Sequence, residues 1–196
     1  MSIILNYASK MLPYILVAAV VVSLIRYGIC RSRSRRMYKN STAHEIWLVI
    51  FAGYIAGLLS LTVFPTIIFS GSWPRFIIIE DKRTNFIPFY EFFVQIIQKK
   101  SFNYFLINIL GNIGVFVPIG FFPPLLWRKV NWRTALLIGS LFSAFIETVQ
   151  YFTGRACDIN DILLNVLGCM LGYWLYRLFL AVAGGYRADK FRQSKR

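Results

Sequence analysis

The chain has 196 residues, of which 57% are hydrophobic and only 15% are charged, and its mean hydropathy is +0.57. Soluble domains have about 45–50% apolar and about 25% charged residues, so this composition excludes an ordinary soluble domain and indicates a membrane protein. The net charge of +14 is of a size found in nucleic-acid-binding proteins, but the sequence has no basic face of a folded soluble domain. We therefore predict the lipid bilayer as partner and no nucleic acid.

Five apolar runs predict five transmembrane helices, since about 20 helical residues cross a bilayer. They cover residues 12–29, 45–69, 104–126, 134–152 and 161–182. The first run is interpreted as a retained anchor, because a basic cluster follows it and no small-residue cleavage site precedes its end. In the second run, Gly53 and Gly57 have the spacing that lets two helices approach closely.

The segment between the second and third runs contains a shorter amphipathic pattern. Its apolar residues recur at helical spacing at Phe89, Phe92, Phe93, Ile96 and Ile97. The pattern is too short and too polar to span, so we expect a helix at the membrane surface, with an ordinary re-entry segment as the alternative. The predicted fold class is therefore all-α, a polytopic membrane helical bundle of about five transmembrane helices plus a short external amphipathic helix.

The distribution of positive charge predicts the orientation of the helices. Of the 22 Lys and Arg residues, 15 fall on one side of an alternating five-span topology, and cytoplasmic loops are the ones enriched in Lys and Arg. We expect a multi-pass plasma-membrane protein with its N-terminus outside and its C-terminus in the cytoplasm. Its predicted parts are an anchor helix with a basic cytoplasmic loop (1–44), a membrane domain (45–183) and a basic cytoplasmic tail (184–196). The cysteines would then lie in different compartments, so we expect free thiols at Cys30, Cys157 and Cys169.

Polar residues inside apolar helices are costly and mark candidate functional positions. In the last three runs they have spacings of three or four residues, which place them on one face of each helix. They are Asn108 and Asn112, then Glu147 and Gln150, then Asp158, Asp161 and Asn165, with Arg155 in the turn before the last run. The predicted topology brings all three sets to one depth near the external surface, which predicts a polar pocket open to the outer leaflet.

The alternative is a hydrogen-bonded network that only holds the three helices together. The three carboxylates of Glu147, Asp158 and Asp161 weigh against it, because a packing network seldom needs that much like charge unless the groups are protonated or bind a cation. Small residues beside these positions are expected to permit close helix approach; they are Gly111, Gly114, Gly168 and Gly172.

Four motifs, in order and with matching spacing over roughly residues 50–180, resemble the VanZ-like family. They are NFIPF at 85–89, NILGNIGVFVPIGF at 108–121, ETVQYF at 147–152 and GRACDINDILLNVLG at 154–168. The resemblance implies a membrane fold and a cell-envelope setting but no particular reaction, and it adds Asn85 to the expected pocket residues. The family's namesake is associated with low-level resistance to teicoplanin-type lipoglycopeptides in Gram-positive bacteria.

The first functional hypothesis is therefore binding of, or protection against, an amphiphile such as a lipoglycopeptide antibiotic or a lipid-linked wall precursor. Arg155 would meet an anionic group of this ligand, and the Asn and Gln side chains would hydrogen-bond to it. Phenylalanine walls would hold its lipid part, with Phe92, Phe93, Phe116 and Phe121 as the candidates.

The second hypothesis is an intramembrane metal-dependent hydrolase or transferase acting on a lipid or envelope precursor. Glu147 would be the catalytic acid or base, and Asp158 and Asp161 would hold a divalent cation through oxygen ligands. A Ser-His-Asp type of site is excluded at this cluster, because the one histidine, His44, lies at the opposite end of the predicted topology. A transporter function has little support, because the sequence has five predicted spans and no inverted repeat.

Overall fold

The structure, a computed structural model, describes residues 3–33, 42–63, 67–70, 73–76, 84–85, 102–152 and 157–193. Five long helices account for most of this part of the chain. They are α1 (Ile3–Arg33), α2 (Thr42–Thr62), α3 (Phe102–Leu126), α4 (Trp132–Phe152) and α5 (Ile159–Gln193). Each contains a stretch long and apolar enough to cross a membrane, which confirms the predicted all-α bundle of five spans. The amphipathic helix expected after Pro88 lies outside the described residues.

Within the described residues, four short strands lie between these helices. Strands β1 (Ile67–Ser70) and β2 (Trp73–Phe76) form an antiparallel pair, and β3 (Thr84–Asn85) pairs with β4 (Cys157–Asp158) in a second two-stranded sheet. The prediction that the second span extends to residue 69 is therefore wrong, since α2 ends at Thr62 and residues 67–70 form a strand. Pro65 explains the early end in sequence terms, because a proline disfavours helical conformation in the residue before it and cannot donate a helical hydrogen bond.

The chain forms two compact units. The first comprises residues 1–84 and 146–157, and the second comprises residues 85–145 and 158–196. In the first unit α1 packs against α2. A Cβ atom placed on Gly57 would lie 2.9 Å from Met11 Cε, and one placed on Gly53 would lie 3.3 Å from a methyl group of Ile15. Both glycines therefore permit the close helix packing that their spacing predicts.

In the second unit the backbones of α3 and α5 are in direct contact. A Cβ atom on Gly168 would overlap the carbonyl group of Ile113, and one on Gly172 would overlap that of Val117. Only hydrogen fits at these positions, so the two α5 glycines set the approach of the helices. On α3 the corresponding small residue is Gly120, where a Cβ atom would overlap the carbonyl group of Cys169.

Two of the four glycines expected at this interface do not contribute to it. No described atom outside the helix's own backbone lies within 4 Å of a Cβ atom built on Gly111 or Gly114, so the expectation for these two is wrong. The reason is helical register, because Ile113, Val117 and Gly120 recur every three or four residues along the contact face. Gly111 and Gly114 fall outside that series.

The first fourteen residues of α4 belong to the second unit and pack against α5. Asn131 caps the helix, since its Oδ1 accepts a hydrogen bond from the Thr134 N–H at 3.0 Å. One turn inside, the Cys169 thiol donates a hydrogen bond to the Ala135 carbonyl at 3.1 Å. A Cβ atom on Gly139 would lie 2.6 Å from Cys169 Sγ, so this glycine leaves room for the thiol. Cys169 is free and buried, as expected; the side chains of the other two cysteines lie outside the described residues.

Candidate functional site

Helices α3 and α5 are joined by a polar contact between two predicted site residues. The Asn112 side chain donates a hydrogen bond from Nδ2 to Asp161 Oδ1 at 2.5 Å. Both side chains are half-buried. Asn112 lies about 6 Å along α3 from Asn108, where the apolar span begins. Asp161 lies in the first turn of α5, where the helix dipole favours a carboxylate. The contact therefore sits near the ends of both spans.

The N-terminus of α5 is built around Asp158. Its Oδ1 atom accepts two hydrogen bonds of 2.9 Å, from the backbone N–H and the side-chain amide of Asn160. Asp158 directly precedes the helix, so it acts as the N-cap and satisfies an N–H group that has no partner within the helix. Asn160 is buried. Sequence analysis did not select Asn160, because this residue was assigned to the turn before the last span. The signal that could have identified it is its position between Asp158 and Asp161 in the same motif.

A second interhelical pair is deeply buried. The Asn165 side chain of α5 donates a hydrogen bond from Nδ2 to Ser143 Oγ of α4 at 3.0 Å. Asn165 is 6% exposed and Ser143 is 0% exposed. A buried amide without a partner is costly in an apolar medium, so the serine hydroxyl stabilises the close packing of these helices. Sequence reasoning missed Ser143, which precedes Glu147 by one helical turn but gives no distinctive signal, because serine is common in transmembrane helices.

Glu147 and Gln150 lie on the last turns of α4, in the first compact unit. Glu147 is only 4% exposed, and Gln150 is half-buried. Within α4, Glu147 follows Ser143 by four residues, which places the two on the same face of that helix. An acidic side chain so well covered within a transmembrane helix is costly and is therefore a candidate for a functional role.

Three predicted site residues have less definite surroundings. Asn108 is half-buried and precedes Asn112 by one helical turn. The backbone of Asn85 lies in β3, which pairs with the strand that carries Asp158, but its side chain is outside the described part of the structure. Arg155 is also outside the described residues, so its expected role stays a prediction.

The two aspartates fit a divalent cation poorly. Among the described residues, no group of three or more His, Cys, Asp or Glu side chains is arranged to hold a metal ion. One oxygen of Asp158 and one of Asp161 accept amide N–H groups, which direct hydrogen atoms toward those oxygens. Ca²⁺ takes about six to eight oxygen ligands, and Mg²⁺ requires an octahedral set. The carboxylates of Asp158 and Asp161 are instead part of a hydrogen-bonded polar cluster.

Two of the aromatic residues expected to line a lipid-binding wall pack against other aromatic rings of the protein. Phe116 is buried, and its ring lies 6.0 Å from that of Phe142 between α3 and α4. Phe121 contacts the rings of Tyr176 and Phe179 on α5. Both phenylalanines contact rings of neighbouring helices. The burial of Phe116 makes its assignment to a ligand-facing wall wrong, whereas Phe121 is half-buried and its assignment stays a prediction. Phe92 and Phe93 lie outside the described residues.

The fold and these side chains define a polytopic helical membrane protein whose last three helices each carry buried or half-buried polar residues. A family model described as VanZ/LLP1 matches residues 51–180. This range is more than half of the chain, and it includes all of α3 and α4 and most of the apolar part of α5. The chain therefore belongs to the VanZ/LLP1 family, which confirms the resemblance found in its motifs. Comparisons with curated proteins and with solved structures gave no match.

Proposed function

We propose that this VanZ/LLP1 membrane protein binds an amphiphile of the cell envelope, either a lipoglycopeptide antibiotic or a lipid-linked wall precursor. The binding residues would be Asn112, Asp158 and Asp161, at the ends of α3 and α5 that the charge distribution predicts to face outward. The observation that carries the proposal is the Asn112–Asp161 hydrogen bond, which joins two half-buried polar side chains next to apolar helix surfaces.

The chemistry of this pair suits a ligand with polar, hydrogen-bonding groups. An asparagine side chain has two N–H donors and an acceptor oxygen, and an ionised aspartate offers two acceptor oxygens. The 2.5 Å contact uses one donor of Asn112 and one oxygen of Asp161. Sugar hydroxyls and peptide amides are groups that such a pair would recognise.

The better buried polar residues would support this surface. Ser143 and Asn165 hold α4 against α5, and Asn160 is bonded to the cap residue Asp158. A packing network and a ligand site are compatible on this proposal, because Ser143 and Asn165 serve packing alone, whereas Asn112 and Asp161 join two helices and also meet the ligand. On this proposal Asn165 has a supporting role, and the half-buried pair of Asn112 and Asp161 meets the ligand.

The lipid part of an amphiphile would lie along the outer surface of the bundle. Leu110 and Val115 on α3 and Leu163 and Leu167 on α5 are exposed on the protein surface. These side chains flank the polar pair in sequence and face the surroundings, which are acyl chains in a bilayer. An acyl tail is therefore accommodated beside the polar pair without a closed cavity.

The test compares teicoplanin, which carries an acyl tail, with vancomycin, which does not. A Gram-positive strain would express the wild-type chain, Asn112→Ala or the control Asn131→Ala. The control also removes an asparagine hydrogen bond, but at the cap of α4. We expect the wild type to raise the inhibitory concentration of teicoplanin more than that of vancomycin, and we expect Asn112→Ala alone to abolish the difference. Equal effects on both antibiotics would contradict recognition of an acyl chain.

The alternative function is an intramembrane hydrolase or transferase with Glu147 as catalytic acid or base. The observation that favours it is the burial of the Glu147 carboxylate, which is 4% exposed within an apolar span. A buried carboxylate positioned near a lipid-linked substrate is able to exchange a proton with it. The oxygen-ligated divalent cation of this alternative has weaker support, because one oxygen of Asp158 and one of Asp161 accept amide hydrogen bonds.

A further inference from the structure

The first compact unit contains a cleft between α1 and α2, away from the residues proposed above. Its volume is about 510 Å³, within the range of about 300–1,000 Å³ that is typical of small-molecule sites. Its walls are mainly the side chains of Tyr27 on α1 and of Ile46, Val49 and Ile50 on α2. The site is therefore large enough for a ligand, and its chemistry is mostly apolar.

An ion pair forms the polar wall of the cleft. Arg26 on α1 donates hydrogen bonds from Nε and Nη2 to the two carboxylate oxygens of Glu45 on α2, at 2.7 and 2.6 Å. The side chains are 21% and 24% exposed. Such a two-point contact fixes both the distance and the orientation of its partners. It joins the two helices beside the cleft, so the cleft has one well-defined polar wall.

The apolar wall of the cleft is open to the surroundings. Tyr27, Ile46 and Ile50 are all exposed in the described structure, and no residue of the α1 span, Met11–Ile29, is buried within the described part of the protein. In a bilayer such a surface is covered by acyl chains. A concave apolar surface holds a chain in more contact than a flat helix face does, because dispersion contacts form on several sides.

The same ends of α1 and α2 attract anions. Arg31 lies one turn beyond Tyr27 on α1 and donates a hydrogen bond to its hydroxyl oxygen at 3.4 Å. The sequence from 31 to 39 contains five basic residues and no acidic one. Clusters of four to eight basic residues next to the cytoplasmic end of a span are typical of binding to anionic lipid headgroups. The α2 helix also begins here, at Thr42, and its N-terminus adds positive potential.

We infer that this cleft holds one acyl chain of an anionic phospholipid, with the lipid phosphate next to Arg31. The cleft provides the apolar site, and the basic end of α1 selects the headgroup charge. The Arg26–Glu45 pair forms the polar wall beside the chain. This inference rests on the first compact unit only, so it does not depend on the amphiphile site proposed for α3 and α5.

The test uses the full chain purified in detergent and incubated with phosphatidylglycerol or phosphatidylcholine of identical acyl chains. Native mass spectrometry then counts the lipids that stay bound as detergent is removed in the gas phase. We expect one phosphatidylglycerol per protein to be retained and phosphatidylcholine to be lost. Equal retention of the two lipids, or retention of neither, would overturn the inference whatever the variants show.

Two matched substitutions locate the site. Val49→Phe fills the cleft, whereas Val20→Phe adds the same bulk to an exposed position of α1 that does not line the cleft. We expect Val49→Phe to reduce retained phosphatidylglycerol by about tenfold, since excluding two buried methylene groups has an effect of this size. Val20→Phe should leave retention unchanged. The same loss in both variants, or a loss in neither, would remove the cleft as the binding site.

A third substitution tests the headgroup. Arg31→Gln removes the cation at the end of the cleft and keeps hydrogen-bonding capacity, so phosphatidylglycerol retention should fall by about fivefold. Ile50→Phe provides a second filling variant at an exposed position of the same wall, and elution as a single peak on size exclusion reports folding of every variant. Undiminished retention in Arg31→Gln would contradict the placement of the phosphate.

Discussion

Asn112 on α3 donates a hydrogen bond to Asp161 on α5, and the two residues are 49 positions apart in the sequence. The contact lies beside a helix interface at which backbones touch, because Gly168 and Gly172 of α5 meet the carbonyl groups of Ile113 and Val117. The glycines bring α3 and α5 close enough for a short amide side chain to bridge them. The polar pair and the glycine contacts are therefore parts of one arrangement.

Removing either partner of this hydrogen bond should destabilise the protein, and the two losses should not add. Hydrogen bonds between membrane helices contribute about 0.6 kcal/mol on average and up to about 1.7 kcal/mol. A double-mutant cycle with Asn112→Ala and Asp161→Ala should give a coupling energy in this range, measured as the free energy of unfolding in mixed micelles. Strictly additive losses would contradict a direct interaction.

The isosteric variant Asp161→Asn separates the hydrogen bond from the charge. An amide oxygen at this position still accepts from Asn112 Nδ2, so the variant should retain most of the stability that Asp161→Ala loses. If the charge of Asp161 meets a polar ligand, Asp161→Asn should nevertheless weaken the effect on teicoplanin susceptibility. A variant that loses stability as strongly as Asp161→Ala would assign the stabilisation to charge.

The glycines of α3 and α5 should divide into two classes on substitution by alanine. Gly168→Ala forces a Cβ atom into the Ile113 carbonyl group, so the helices must separate and the variant should lose folded protein. Gly114→Ala meets no described neighbour within 4 Å. This substitution should be neutral or stabilising by up to about 1 kcal/mol, because alanine has a higher helix propensity than glycine.

Thermal unfolding with size exclusion distinguishes the two classes. Gly168→Ala and Gly172→Ala should give lower melting temperatures than the wild type, whereas Gly111→Ala and Gly114→Ala should match or exceed it. Similar losses in all four variants would mean that α3 does not contact α5 through the face that carries Ile113, Val117 and Gly120.

The sequence predicted the existence of the five spans because apolar content and length alone decide them. It did not predict the end of α2 correctly, since the apolar run continues to residue 69 through a strand, and hydropathy does not distinguish a helix from a short apolar strand. Sequence reasoning also treated Gly111, Gly114, Gly168 and Gly172 alike. Only the rotation of α3 about its axis, which depends on all its neighbours, determines which glycines meet α5.

For the polar residues too, sequence spacing predicted which side chains lie at one depth, and only the packing of the helices determines which of them are in contact. Asn112 and Asp161 were expected to lie at one depth, and the structure brings them into contact. Ser143 was missed because serine is common in transmembrane helices and has no distinctive signal. Phe116 was expected on an open wall and is buried against Phe142, because an aromatic pattern does not say which side of a helix faces a ligand.

The buried Ser143–Asn165 pair should matter for stability and not for antibiotic susceptibility. Ser143→Ala leaves the Asn165 amide without its partner at 3.0 Å, which costs about 1–3 kcal/mol. The double variant Ser143→Ala with Asn165→Leu removes both polar groups and should recover part of this loss. Unfolding free energies of Ser143→Ala, Asn165→Leu and the double variant measure the effect, and a double variant less stable than either single one would contradict it.

The orientation predicted from the charge distribution determines which added cysteines should react from outside the cell. With Cys30, Cys157 and Cys169 replaced by serine, Ser2→Cys should react with a membrane-impermeant maleimide in intact cells. Ser194→Cys in the basic tail should react only after the cells are opened, because the positive-inside rule places that end in the cytoplasm. Labelling of Ser194→Cys in intact cells would reverse the topology, and the proposed site would then face the cytoplasm.

Substitution of Glu147 distinguishes the two candidate functions. Glu147→Gln preserves the shape of a side chain that is 4% exposed but removes its ability to transfer a proton. A catalytic acid or base contributes about 10²–10⁴-fold to a rate, so an enzyme should lose nearly all of its effect on the envelope, while a binding protein should keep most of it.

The measurement is teicoplanin susceptibility at matched protein levels, with the conservative variant Glu147→Asp as control. A fully active Glu147→Gln protein would exclude Glu147 as a catalytic group, and an inactive but stably folded one would favour the enzyme.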